Sequence, residues 1–269
     1  MDPQTPTSDE EAAARAATAQ ARAEEILQQE LRRRSRRGFL VAGAAAAAGL
    51  GGWEWLRTRA GGGQVPWPLR RGLEIDERLS RRYFRETRLA REFPRSAAED
   101  VIVNGDIGAD DDDFDPAQWK LTAEGLAGHE GPLTIGIADI QALPRFEMTT
   151  EFKCIEGWSK VMHWAGARMS DFVAKYPPRN PGDGYVALET PDAAYYVGVD
   201  MASAMHPQTM LCYEMNGAPL EVDHGAPLRL VIPLKYGIKN LKRIGRLSFT
   251  NDRPKDYWAE RGYDWYAGF

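Results

Sequence analysis

The sequence of 269 residues contains only two cysteines, Cys154 and Cys212, and four histidines. Two cysteines are too few for a disulfide framework, and so few histidines supply a zinc site poorly. There is no CxxC, no HExxH, no cysteine–histidine cluster and no CxxCH of the kind that attaches haem. A redox metal would have to arrive inside an organic cofactor that brings most of its own ligands. A basic excess is also missing. The formal net charge of −5 leaves no electrostatic footprint for nucleic acid. No internal repeat is visible, and strands do not alternate regularly with long helices, so a doubly wound parallel sheet is not expected. What remains is ordinary globular material, 43% hydrophobic against 27% charged, enough for a proper core.

The N-terminal stretch from Glu10 to Arg34 is Ala, Glu, Gln and Arg, with Ile26, Leu27 and Leu31 as its large apolar residues. Such a segment cannot bury a core, so residues 1–34 are expected to be a solvated or disordered tail with transient helix. Ser35-Arg36-Arg37-Gly38-Phe39-Leu40 follows, then an alanine-rich run to Gly49 and Leu50-Gly51-Gly52. A paired arginine before a moderately apolar Ala/Gly run resembles a twin-arginine export signal, placed here over residues 35–60. The stretch from Phe39 to Leu56 is just long enough to span a bilayer, which takes roughly 20 apolar residues, although Ala and Gly make it a weak span. Thr58-Arg59-Ala60 is the best cleavage site available, and an uncut anchor stays open as the alternative. The resemblance implies the twin-arginine machinery as a partner. It also implies a periplasmic location or one on the outer face of the cytoplasmic membrane. That route carries proteins already folded, which suits enzymes that take up a cofactor first.

Residues 61–100 read as linker and peripheral helix. Gly61 to Pro68 breaks any incoming helix, and Ile75 to Phe93 reads as a charged amphipathic helix with Leu79, Tyr83, Phe84 and Leu89 apolar. The folded domain is expected over residues 101–269. Strands are expected at Trp119–Leu121, Leu133–Ile135, Tyr185–Leu188, Leu228–Ile232 and Ile244–Phe249, and short helices at Ala138–Ala142 and Ser170–Lys175. The fold class is α+β, dominated by mixed β-sheet.

Cys154 stands in Glu151-Phe152-Lys153-Cys154-Ile155-Glu156-Gly157-Trp158-Ser159, where a strand-like approach meets a loop and then a helical stretch. Lys153 beside it would favour the thiolate. By itself a lone cysteine reads as a small buried hydrophobe. Cys212, in Met210-Leu211-Cys212-Tyr213, is expected in the core, and His163 and His206 as structural histidines. Asp110–Asp113 with Asp115 read as a solvated acidic loop in preference to a calcium site. Trp158 and Trp164 either line a site mouth or pack the domain. Glu156 is either a proton donor or a brace for its loop.

Cys154-Ile155-Glu156-Gly157-Trp158-Ser159, continuing to Trp164-Ala165-Gly166, resembles the cysteine loop of the sulfite oxidase superfamily of molybdopterin-binding oxidoreductases. It is closest to the branch of the periplasmic methionine-sulfoxide reductase catalytic subunits. Two further blocks lie in the family's order: Ala204 to Met210 with Asn216 to Leu220, and His224 to Pro233 with Lys235 to Lys242. The resemblance implies a molybdenum–molybdopterin cofactor, with Cys154 as the thiolate ligand to the metal and Glu156 beside it in the catalytic site. It further implies cofactor contacts from Asn104, Thr190, His224, Arg229, Asn240, Leu241 and Lys242. Arg229 would read the phosphate with its planar fork of donors, and Lys242 with the backbone of Asn240 and Leu241 would complete that cradle. His224 stands where the reductase carries Asn. Gly105 and Asp106 replace the reductase's Tyr-Glu pair, which leaves part of the substrate pocket undefined. The Ala-Gly-Asn run of sulfite oxidases is absent after Cys154, and the sequence ends at Trp265–Phe269, both of which argue against sulfite.

The implied activity is two-electron oxygen-atom transfer at a small-molecule substrate, with sulfoxide reduction favoured by the Cys-x-Glu-Gly-Trp loop. Electrons would be exchanged with a haem-containing membrane subunit or a cytochrome. Two other readings compete. A membrane-tethered binding module could keep the fold without metal catalysis, although it would have no need of Cys154, Arg229 and Lys242 together. A thiol hydrolase would pair Cys154 with His206 or His224 within hydrogen-bond reach.

Overall fold

The computed structural model describes residues 8–58, 66–100, 102–105, 107–108 and 114–269. The chain forms two compact units, residues 1–59 and 60–269. The first contains a single helix, α1 (Ser8–Thr58). It runs without interruption through both the stretch expected as a solvated tail and the Arg-Arg and alanine run. Ala, Glu, Gln, Arg and Leu are the strongest helix formers, and no proline intervenes. Phe39, Leu40, Val41, Trp53 and Trp55 are exposed on it. Among the described residues no helix is long and apolar enough to cross a membrane. Arg59 and Ala60 of the expected cleavage site, Gly61–Val65 of the linker, and Asp110–Asp113 of the acidic stretch lie outside the described residues.

In the second unit the helix expected over Ile75–Phe93 is observed as α2 (Trp67–Tyr83), shifted toward the N-terminus at both ends. Pro68 sits in its first turn, where a missing N–H costs nothing, so the expected helix-breaking linker is partly helix. The helix stops at Tyr83 because the following backbone is bonded elsewhere. The Gln208 side-chain amide takes both the N–H and the C=O of Ala90 (2.7 and 3.1 Å), and Phe93 donates its N–H to the Thr149 carbonyl (2.9 Å).

The remaining elements are β1 (Leu121–Glu124), β2 (Leu133–Ile135), α3 (Ile137–Gln141), β3 (Arg145–Lys153), β4 (Ser159–Arg168), α4 (Met169–Lys175) and β5 (Tyr185–Glu189). They continue with β6 (Tyr196–Asp200), α5 (Met201–Ala204), β7 (Met210–Met215), β8 (Ala218–Pro219), β9 (Arg229–Val231) and β10 (Arg246–Thr250). One sheet has the order β2-β1-β10-β5-β6, antiparallel except for the parallel β1–β10 pair. The other runs β3-β4-β7-β8, antiparallel, with β9 also paired to β7. The α+β class with mixed sheet is therefore observed. The stretch after Trp158, expected as helix, is instead strand β4. It pairs with β3 in continuous register from Lys153↔Ser159 to Arg145↔Ala167, and this tertiary pairing overrides local preference.

One core joins both sheets, with Leu121, Ile135, Phe172, Leu188, Val197, Leu211, Leu230 and Leu247 among its members. A second cluster, Met148, Met162, Trp164, Met210, Cys212 and Val231, lies on the other face of the β3–β4–β7 sheet. Along β7, Leu211 and Tyr213 enter the first cluster and Met210 and Cys212 the second, the alternation of a strand. Cys212 is the core residue the sequence suggested: fully buried, with burial pushing its thiol up to about 12. His206 and His163 are also structural. His206 accepts from the Gln208 N–H at Nδ1 and faces the Arg88 carbonyl through Nε2, both at 3.2 Å, and His163 Nδ1 meets Thr149 Oγ1 at 2.9 Å. Burial holds both imidazoles below the usual histidine range.

Two expectations follow for stability. At Gly166, where the β4–β7 register shifts, a Cβ would clash with the Leu211 carbonyl and lie 2.7 Å from Cys212 Cα. Gly166→Ala should lower unfolding stability by roughly 1–3 kcal/mol, the usual cost of overpacking; an unchanged urea midpoint would show that the strands do not approach so closely. Histidines held neutral in the fold bind protons only when it opens. Stability should therefore fall as pH drops below about 6.5, the unfolded value, and level off only once the folded-state values are passed. Urea titrations at pH 7.5 and 5.5 should show this slope, and His206→Gln should flatten it.

Candidate active site

The β3–β4 hairpin closes through a short loop that begins at Cys154. The Cys154 N–H donates to the Trp158 carbonyl (2.9 Å) and the Gly157 N–H to the Cys154 carbonyl (3.2 Å). Gly157 takes φ +92°, a left-handed conformation open to glycine, which lets the chain reverse. The loop leaves Cys154 half-buried on the wall of a cavity. Lys153 turns away: its ammonium lies 4.0 Å from the Phe269 ring centroid and 3.6 Å from the Glu151 carboxylate.

Three side chains are tied together at the sulfur. Asn104 Nδ2 lies 3.5 Å from Cys154 Sγ and 3.2 Å from Glu156 Oε2, and that same oxygen accepts from Trp158 Nε1 at 3.2 Å. Lys242 Nζ donates to the carbonyls of Asn104 (3.1 Å) and Gly105 (2.6 Å), which fastens this upstream segment against the cavity. Glu156 thus braces its loop, and it also lines the cavity.

Below them is Arg229, from the first position of β9, 4% exposed. Its Nη1 donates to the His224 carbonyl (3.1 Å), and its Nη2 lies 3.5 Å from the Asn240 carbonyl. The guanidinium carbon is 5.2 Å from the Trp164 ring centroid and 6.0 Å from that of Phe152. Among the described residues its Nε has no hydrogen-bond partner, and neither does the indole N–H of buried Trp164. No carboxylate among the described residues pairs with Arg229, and burial pulls its guanidinium down to about 10. His224 is held below the usual range by burial first, then by Arg229 and Lys242. Arg229, with no carboxylate partner among the described residues, is the feature of this wall that calls for negative charge. It is suited to an anionic group that accepts several N–H bonds.

The structure therefore brings Asn104, Cys154, Glu156, His224, Arg229, Asn240 and Lys242 to one cavity, along with Trp158 and Trp164. The Asn240 side chain is spent on the backbone, accepting from the Ile232 N–H (2.6 Å) and donating to the Tyr236 carbonyl (3.1 Å), so its role is to shape the turn. Thr190 and Leu241 stand behind the lining. Leu241 points into the core. The Thr190 hydroxyl donates to Asp192 (2.5 Å) and accepts from the Tyr195 N–H (3.1 Å), and it is Tyr195 that reaches the cavity. Sequence reasoning missed Phe152, Tyr195, Ile238, Trp258 and Tyr263 on the walls. The dense aromatic run from Tyr257 to Tyr266 was the available signal for the last two. Among the described residues no cluster of three or more His, Cys, Asp or Glu side chains could hold a metal ion, so a metal at Cys154 would need further ligands from a cofactor. The fit to an anionic, hydrogen-bonding cofactor rests on the orphaned Arg229 Nε and Trp164 Nε1.

Known proteins agree with this chemistry. The profile of the family described as oxidoreductase molybdopterin binding domain matches residues 108–258, more than half of the chain, and includes Cys154, Arg229 and Lys242. A protein of Azospira oryzae named as a protein-methionine-sulfoxide reductase subunit, YedZ1, is 35% identical over 156 residues, covering 58% of this chain and 58% of its own. The protein-methionine-sulfoxide reductase catalytic subunit MsrP of Campylobacter jejuni is 33% identical over 172 residues, covering 57% of each. The chain thus spans a little over half the length of these curated relatives. Among solved structures, the sulfane dehydrogenase SoxCD of Paracoccus pantotrophus is 22% identical, covers 52% of this chain and 40% of that one, and has a TM-score of 0.47. The family resemblance carried by the cysteine loop and the His224–Lys242 block is borne out, and the chain belongs to the oxidoreductase molybdopterin-binding domain family.

Proposed function

We propose that the chain is an exported molybdopterin-dependent oxidoreductase that removes one oxygen atom from a sulfoxide. The observation that supports this most is the buried Arg229, without a carboxylate partner among the described residues, in the same cavity as the Cys154 thiol. In this reading Cys154 is the protein's ligand to molybdenum, a soft thiolate on a redox metal. Arg229, Lys242 and the backbone of Asn240 and Leu241 take the cofactor phosphate, and Asn104 and His224 hydrogen-bond along the pterin. Thr190 contributes by placing Tyr195 on the wall. When bound, the group supplies two-electron oxygen-atom exchange.

The chain's own residues bind, orient and move protons. Reducing a sulfoxide to a sulfide consumes two protons and two electrons and releases the oxygen as water. Glu156, held at Oε2 by Asn104 and Trp158, is placed to carry a proton, while Phe152, Trp158 and Trp164 keep bulk water from the sulfur. The electrons come from a haem-containing membrane subunit or a cytochrome, since the sequence has no haem attachment motif of its own. Residues 1–34 serve as a solvated arm and residues 35–60, with Arg36-Arg37, as a twin-arginine signal that delivers the folded protein to the periplasmic side. Residues 61–100 connect them to the molybdopterin domain at 101–269.

Protein purified from a host that makes the cofactor should hold molybdenum near one per chain. Cys154→Ser should alter its electronic absorption and abolish sulfoxide reduction. Well-folded wild type without molybdenum would sink the reading and favour a binding module. Arg229 gives an independent check, because a buried cation lacking its anion is a burden on the empty protein. Arg229→Met should leave the cofactor-free protein as stable as wild type or more so, yet reduce cofactor retention more than tenfold. A strong loss of stability in the cofactor-free variant would mean that Arg229 is structural.

A further inference from the structure

Helix α2 is amphipathic in the wrong sense for a helix lying on a protein core. Its one buried residue is a carboxylate, Glu77, bonded to Arg81 (2.9 Å) and Arg253 (2.7 Å). Arg81 in turn packs over the Trp265 and Tyr266 rings, at 5.7 and 5.3 Å. The opposite face carries the hydrophobic residues. Ile75, Leu79 and Tyr83 recur at four-residue spacing and are 51%, 49% and 68% exposed. At 100° per residue, Arg82 and Asp76 flank this face on its two sides and Arg78 lies further round beside Arg82, all three exposed. Leu79 and Tyr83 also edge a groove shared with Leu234, Tyr266 and Phe269, and a stripe left this exposed, with the ion pair turned inward, marks a surface made for an apolar partner.

We propose that this outward face of α2, Ile75, Leu79 and Tyr83 bordered by Arg78 and Arg82, docks onto an anionic lipid bilayer. The size of the face decides between occupants. A helix of 17 residues is about 25 Å long and offers a strip of a few hundred Å². A stable protein partner needs roughly 800 Å² per side. A bilayer needs only the strip: apolar side chains enter the acyl boundary and arginines meet headgroup phosphates. A tyrosine at the end of the stripe suits the interface, with its ring in the apolar layer and its hydroxyl in water. The inference is independent of the chemistry in the cavity, since none of these five residues lines it.

The test is hydrogen–deuterium exchange on the full chain with vesicles of phosphatidylglycerol or of phosphatidylcholine. Amides of residues 67–83 should exchange at least about tenfold more slowly with phosphatidylglycerol and be unchanged with phosphatidylcholine. Ile75→Glu combined with Leu79→Glu should abolish the protection. Arg78→Gln combined with Arg82→Gln keeps the apolar stripe and should raise the lipid concentration for half-protection roughly thirtyfold, from the attraction of two arginines to an anionic surface. All four positions are exposed, so both variants should fold, and unchanged exchange elsewhere in residues 114–269 checks this. No protection of residues 67–83 by phosphatidylglycerol would overturn the proposal, whatever happens in residues 8–58. So would protection that needs no lipid and grows with protein concentration, which would mark an interface between copies.

Discussion

Burying a guanidinium without a carboxylate costs a folded protein several kcal/mol unless other groups take its place, and among the described residues Arg229 is buried in this way. Two backbone carbonyls accept from its Nη atoms and two aromatic rings lie near its face, while no described residue partners its Nε. The chain has been arranged to tolerate this. β9 pairs with β7 so that Arg229 lies opposite Cys212, the 3-10 turn Val222–His224 presents a carbonyl, and the Tyr236–Asn240 turn presents a second. Each of these elements has its shape fixed by bonds unrelated to any ligand. Among the described residues the Arg229 guanidinium is thus left without a carboxylate, and this is the physical reason why this end of the cavity is suited to an anion.

The cavity takes its walls from segments far apart in sequence. The β3–β4 hairpin supplies Phe152, Cys154, Glu156 and Trp158; the Asn104–Gly105 segment is fastened by Lys242; the C-terminal segment supplies Trp258 and Tyr263. That last segment is itself held by a buried pair. Lys239 Nζ meets Asp256 Oδ2 at 2.5 Å and donates to the Gly198 carbonyl at 2.8 Å, while the Trp265 indole donates to the Pro254 carbonyl at 3.0 Å. Burial alone would drive Lys239 toward neutrality, and Asp256 opposes this. An ion pair of this kind fixes register more than it adds stability, and here the register in question places two aromatic rings on the cavity wall. Polarity is inverted in the same way at α2, where Glu77 is drawn inward by Arg81 and Arg253 and the apolar side chains are left outside.

Local chemistry was legible wherever a residue's role depends on its neighbours in the chain. The Cys154–Ser159 run, the His224–Lys242 block, and the short strands at Leu133–Ile135 and Tyr185–Leu188 could all be read directly. The strands that escaped notice, β4, β6, β7 and β8 with all of β3 but its end at Cys154, owe their state to pairing. β7 is buried on both faces, so it carries no polar alternation to read. The end of α2 was misplaced for a related reason, since the Gln208 amide that takes over the backbone at Ala90 lies 118 residues away.

The sequence by itself determined the family and most of the residues that converge on the cavity, because these depend on residue types and their order. Only the tertiary structure decided which of those residues face the cavity. It set Thr190 and Leu241 behind the wall, spent the Asn240 amide on the backbone, turned Lys153 away from the sulfur, and brought Asn104 to within 3.5 Å of it. Side-chain direction depends on which face of a strand or turn is packed. Packing is settled by partners distant in the chain, and order along the sequence does not record it.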